Sequence, residues 1–116
     1  MTDPPDTARS HRSGPVVVSR DDGTARIWRV ADGSSLAVLR HDAEVSSARF
    51  SNDGRYVVTA SADRSVRLWD AQKGQLVADM RGHTDPVVSA EFSDDGSMLA
   101  SASLDGTVRV WRAASP

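Results

Sequence analysis

The sequence predicts an all-β fold assembled from a repeat of about 42 residues. Three observations carry this expectation. Trp28, Trp69 and Trp111 recur at intervals of 41 and 42 residues. Other residues keep the same step: His41 with His83, Phe50 with Phe92, and Asp53-Gly54 with Asp95-Gly96. Within each repeat, short runs rich in β-branched and apolar residues stop at turn residues, and no helical periodicity or cap competes with them. From His41 to Trp69 and from His83 to Trp111, about half of the aligned positions are identical.

Taken in order, residues 1–14 lack the markers of a first strand and are expected to form a flexible Pro/Ser/Asp/Arg tail. Residues 15–40 match the later strands of a repeat and predict a partial unit with strands at 15–20, 24–30 and 35–40. Residues 44–81 predict a full unit, with strands at 44–50, 55–61, 65–70 and 75–80. The segments SNDGR, ADR and AQKG between them supply turn residues, so the unit reads as an antiparallel meander. Residues 87–112 predict a unit lacking its last strand, and 113–116 a frayed end. About ten strands are expected in all.

Composition bounds the function. With 39% hydrophobic and 26% charged residues, the chain is globular. Its net charge of −2 offers no broad basic field for a nucleic acid backbone. It has no apolar run long enough to span a bilayer, and its N-terminus does not read as a secretory signal. Cysteine is absent, which removes disulfides and thiolate chemistry and suits a cytoplasmic location.

The motif order is a Gly-His or Arg-His pair, an apolar strand ending in Phe-Ser, and Asp-Gly. Small hydroxylated residues, an Asp turn and a Val-Arg-aliphatic-Trp strand follow. In HDAEVSSARFSNDGRYVVTASADRSVRLWD (41–70) and GHTDPVVSAEFSDDGSMLASASLDGTVRVW (82–111), the chain resembles the WD-repeat β-propeller family. It departs from the pattern at Trp28 and Trp111, which are followed by Arg, and at His41, which is preceded by Arg. The resemblance implies a partial propeller: antiparallel four-stranded blades in an open arc, about two and a half of them. It also implies a structural network in each blade. Carried over, the network is His41, Thr59, Asp63 and Trp69, then His83, Ser101, Asp105 and Trp111, with Ser61 and Ser103 as alternative hydroxyls. The chemistry agrees, because a buried indole N–H needs an acceptor and a buried imidazole needs a partner on each nitrogen. The first unit keeps Asp22 and Trp28, but Val18 and Arg20 align with the hydroxyl positions, and no histidine matches.

Serine, histidine and aspartate together also suggest a hydrolase, but no G-x-S-x-G elbow is present, and their spacing suits a lock. No enzyme activity, cofactor or metal is expected. His41 and His83 fall in different blades, and Asp53-Gly54 and Asp95-Gly96 read as hairpin turns rather than calcium loops. Arg26, Arg67 and Arg109 form a strand stripe that offers nucleic acid binding as an alternative. The leading expectation is a protein-protein interaction scaffold, part of a larger signalling or regulatory protein or an oligomerising fragment. Hairpin topology gathers the His and Asp loops on one rim. Asp42, Glu44, Arg64, Thr84, Asp85 and Leu104 are its candidate contacts. An open arc would also leave an apolar face at each end, which favours self-association.

Overall fold

A computed structural model of the chain describes residues 9–10, 16–29 and 32–112. Among them lie eleven strands and no helix, in three antiparallel sheets. The first sheet holds β1 (Arg9–Ser10), β2 (Val16–Asp21), β3 (Thr24–Arg29) and β4 (Ser35–Arg40). The second holds β5 (Val45–Phe50), β6 (Tyr56–Ser61), β7 (Ser65–Asp70) and β8 (Leu76–Arg81). The third holds β9 (Val87–Phe92), β10 (Met98–Ser103) and β11 (Val108–Arg112). Each sheet is a meander in which strands pair with their neighbours in sequence. The sheets are three blades packed in series as an open arc of a propeller.

The seven strands expected in the first two units fall within about a residue of their expected positions, and the third unit holds the three strands expected of it. The eleventh is a correction. The tail expected over residues 1–14 contains β1, whose Arg9 and Ser10 pair with Val18 and Val17. Two residues carry no readable alternation, and they join the sheet by pairing along the edge of β2. The rest of that segment, and the expected frayed end at 113–116, lie outside the described residues.

Packing explains the composition of each strand. β6 (YVVTAS) is buried on both faces because the second blade is sandwiched between the other two. One face sends Val57 and Trp69 into a cluster with Ala25, Ile27 and Leu39 of the first blade. The other sends Val58, Ala60, Val66 and Leu68 against Val87, Ala90 and Leu99 of the third. β8 lies at the sheet edge and is largely exposed, which is why it tolerates Asp79 and Arg81. The Asp-Gly turns are tight hairpins: Asp53 Oδ1 accepts from Ser51 Oγ at 2.7 Å and Arg55 N at 2.9 Å, and Gly54 takes φ 73°.

The first blade differs from the others by one residue of register. Asp21 pairs with Thr24 across a two-residue Asp22-Gly23 turn, whereas Ala60 pairs with Val66 across a longer loop. A slip of one residue exchanges the faces of a strand. Ser19, not Val18, therefore stands opposite Arg26, the register place that Thr59 and Ser101 hold opposite Arg67 and Arg109. Arg20 moves to the other face, where its guanidinium donates to the Val45 carbonyl at 3.3 Å. The expectation that the first unit lacks a residue at the hydroxyl position came from aligning on the tryptophan, and the shorter turn shifts that frame.

Candidate functional site

The four-residue sets converge at one end of the second and third blades. His41 lies between β4 and β5, Thr59 in the middle of β6, Asp63 in the β6–β7 loop and Trp69 on β7. His41 Nδ1 lies 2.9 Å from Asp63 Oδ2, and its Nε2 lies 2.5 Å from Thr59 Oγ1. The Trp69 indole N–H donates to the same Thr59 oxygen at 2.9 Å. An ionised carboxylate only accepts, so Nδ1 carries the proton of a neutral imidazole. Nε2 must then accept from the Thr59 hydroxyl, whose lone pairs remain open to the indole. One direction of donation runs from Trp69 through Thr59 and His41 to Asp63. The third blade repeats it: His83 Nδ1 lies 3.1 Å from Asp105, His83 Nε2 lies 2.7 Å from Ser101, and Trp111 donates to Ser101 at 2.9 Å.

The choice between hydroxyls is clear in the geometry. Ser61 Oγ donates to the Glu44 carbonyl at 2.9 Å and Ser103 Oγ to the Pro86 carbonyl at 3.0 Å, so these two fix the loops rather than meet the histidines. Two partners were not foreseen in the sequence. The Ser65 hydroxyl donates to Asp63 Oδ1, and Thr107 Oγ1 does the same to Asp105 at 2.5 Å. The signal was available: Thr24, Ser65 and Thr107 each lie four residues before a tryptophan, so a hydroxyl recurs there in every repeat. Asp22 sits in the first blade's turn and Trp28 on β3, and the His41 amide joins that turn by donating to the Gly23 carbonyl at 2.9 Å.

These contacts set the proton affinities. Burial pushes the Asp63 carboxyl up, but the Ser65 hydroxyl, the His41 ring and the Asp42 and Ser65 amides outweigh it. The carboxyl is held well below the usual range. Asp105 is likewise held low, by the Thr107 hydroxyl first and then the Thr84 amide. Burial lowers the His41 value despite the opposing pull of Asp63. Both shifts act in one direction on stability. Below the ordinary histidine value of 6.5 the unfolded chain takes up a proton that folded His41 resists, so stability falls. Below the ordinary aspartate value of 3.8 the unfolded carboxyls protonate while folded Asp63 and Asp105 hold out, so it falls again. The urea midpoint is expected to be flat above about pH 7, to decline below about 6.5 and to drop steeply below about 4. A midpoint constant between about pH 7 and 5 would remove His41 from this account.

The arrangement is poorly suited to the alternatives. Thr59 is fully buried and Ser101 is 2% exposed, so neither hydroxyl can meet a substrate. Among the described residues, no group of three His, Asp or Glu could hold a metal ion. In the arginine stripe, Arg67 donates to the Arg40 carbonyl at 2.6 Å and lies 3.5 Å from Asp79, and Arg109 sits 5.9 Å above the Trp111 ring. Arg26 is half-buried on β3.

The His and Asp loops share one rim. Ala62 N donates to the Glu44 carbonyl at 2.9 Å and Leu104 N to the Pro86 carbonyl at 3.0 Å. Asp42 N and Thr84 N donate to Asp63 and Asp105. Asp42, Glu44, Arg64, Thr84, Asp85 and Leu104 are all exposed around these junctions. On the opposite rim the Asn52 side chain donates to the Asp94 carbonyl at 2.7 Å and ties the two Asp-Gly turns together.

Comparison with known proteins follows the same repeat. The family described as WD domain, G-beta repeat matches residues 33–70 and 74–112. A coronin-like protein of Saccharomyces cerevisiae is 33% identical over 57% of this chain and 10% of its own length. The Notchless protein homolog of Arabidopsis thaliana is 37% identical over 61% of this chain and 15% of its own. The serine-threonine kinase receptor-associated protein of Gallus gallus is 35% identical over 57% of this chain and 19% of its own. The chain thus spans less than a fifth of the length of these relatives. The crystal structure of the computationally designed Ika4 protein superimposes with a TM-score of 0.79 and 32% identity, covering 90% of this chain and 63% of that one. With two matched repeats and blades that pack in series, the chain belongs to the WD domain, G-beta repeat family.

Proposed function

We propose that the chain is a protein-protein interaction scaffold, part of a larger signalling or regulatory protein or an oligomerising fragment, that meets its partner through the His/Asp rim. WD-repeat proteins are generally non-enzymatic scaffolds, and relatives such as the kinase receptor-associated protein carry association in their names. The observation that supports the rim is Arg64. Its φ is 76°, a left-handed conformation that costs a non-glycine residue about 1 kcal/mol. The aligned residues of the other repeats are Gly23 and Gly106, with φ 69° and 84°. Folding alone favours glycine here, and Arg64 instead presents an exposed guanidinium to a partner. Leu104, 68% exposed at the tip of the equivalent loop in the third blade, supports the same surface.

The test immobilises the full chain and identifies the proteins it retains. Arg64→Gly is expected to raise the urea midpoint slightly while weakening retention. Reversing Asp42, Glu44 and Asp85 to Lys is expected to abolish retention and leave the β-type circular dichroism unchanged. Loss of retention on Lys73→Glu, in the β7–β8 turn of the opposite rim, with the rim variants intact would invert the assignment.

A further inference from the structure

The third blade leaves open the face whose counterpart in the second blade is covered. Register places Met98, Ala100, Ala102, Val108 and Val110 together, with Ala100 opposite Val110 and Ala102 opposite Val108. The aligned residues of the second blade are Tyr56, Val58, Ala60, Val66 and Leu68, with Val58 opposite Leu68 and Ala60 opposite Val66. There the face is sealed against the third blade, and Val66 and Leu68 are 0% and 1% exposed. Val108 and Val110 are 69% and 64% exposed. The same chemistry is core in one blade and surface in the next.

What covers such a face is visible inside the chain. The covering side of each following blade carries an aliphatic residue opposite the tryptophan: Val57 with Trp69, and Leu99 with Trp111. Both pairs pack in the interblade clusters. The first blade has the same pair in register, Val17 opposite Trp28. Its Ala25 and Ile27, which alternate with Trp28 along β3, are committed to the cluster with the second blade. The Trp28 side of the first blade therefore points away from the second, and Trp28 itself is only half-buried. Each end of the arc presents one half of an interface that the chain already builds twice.

We propose that the open face of the third blade docks onto the Trp28 face of the first blade of a second copy of this chain. The contact is head to tail, because the two halves are different surfaces. Burial of two exposed valines and the half-exposed indole drives it, and no residue of the His/Asp rim takes part.

The experiment is sedimentation equilibrium on the full chain. The weight-average mass is expected to rise with concentration above the monomer value of 12.4 kDa. Val108→Glu with Val110→Glu is expected to lower the association constant at least about tenfold. Both residues are already exposed, so circular dichroism and the urea midpoint of the dilute protein should not change. Trp28→Glu is expected to block association from the other end. Arg26→Glu, on the same face, replaces it if the tryptophan variant unfolds. A mixture of the two blocked chains should form a one-to-one dimer, since each keeps one intact half. A chain that stays monomeric at about 100 μM, or one whose association survives the double valine variant, overturns the proposal. Association insensitive to the first-blade variants overturns the head-to-tail geometry.

Discussion

Thr59→Val is expected to lower stability by about 2–6 kcal/mol, since it leaves two buried polar groups unpaired at about 1–3 kcal/mol each. Valine nearly matches threonine in volume, so the fully buried site keeps its packing and loses only the hydroxyl. The Trp69 indole N–H then has no acceptor and His41 Nε2 no donor. A loss of this size is a large share of the roughly 5–15 kcal/mol that holds a small domain together. The urea midpoint reads it. Thr59→Ser is the control, because Ser101 performs the same task in the third blade and the hydroxyl survives. Equal damage from both substitutions would show that the methyl group, not the hydrogen bonds, matters at this position.

The second large effect is expected at Leu68→Ala. Leu68 is 1% exposed between the second and third blades, among Val58, Val66, Val87 and Leu99. Truncating a buried leucine costs about 2–5 kcal/mol, depending on how far the cavity collapses. Two sheets clamped face to face by this cluster have little freedom to collapse, so the upper half of the range is expected. Val110, the aligned residue one repeat later, is the internal comparison. At 64% exposure, Val110→Ala in dilute solution should change stability by no more than about 0.5 kcal/mol. If the two truncations cost the same, the contrast between the covered and open faces is not an energetic one.

Much of this was legible because repetition and chemistry agree. Trp69, Asp63 and His41 were grouped by what the resemblance to the WD-repeat family implies, and their spacing recurs at Trp111, Asp105 and His83. The family resemblance named Thr59 as the partner of the histidine, which the geometry shows, and left Ser61 as the alternative. Both hydroxyls share a strand face, and only the position of the loop carbonyls at Glu44 decides between them. β1 escaped notice because a two-residue edge strand is specified by the strand it joins, not by its own side chains. The register of β2 escaped because tryptophan alignment fixes β3, while the turn length fixes β2. Ser65 and Thr107 are legible in the sequence as a hydroxyl recurring four residues before each tryptophan.

The shorter first turn has a consequence for how the chain avoids errors while folding. Neighbouring repeats of similar sequence are prone to exchange strands, because a strand from one copy finds acceptable partners in the next. β2 and β6 are similar enough to compete for the same place. Yet β2 is threaded one residue out of step with the alignment that relates it to β6. Inserted into the second blade in the aligned frame, it would set Val18 opposite Arg67, in the place of Thr59, and Arg20 in the buried place of Ser61. Valine in the place of Thr59 leaves the Trp69 indole and His41 unpaired, so the misassembled product is penalised. A single missing residue in the turn before Trp28 thus gives the first blade an address of its own within a repetitive chain.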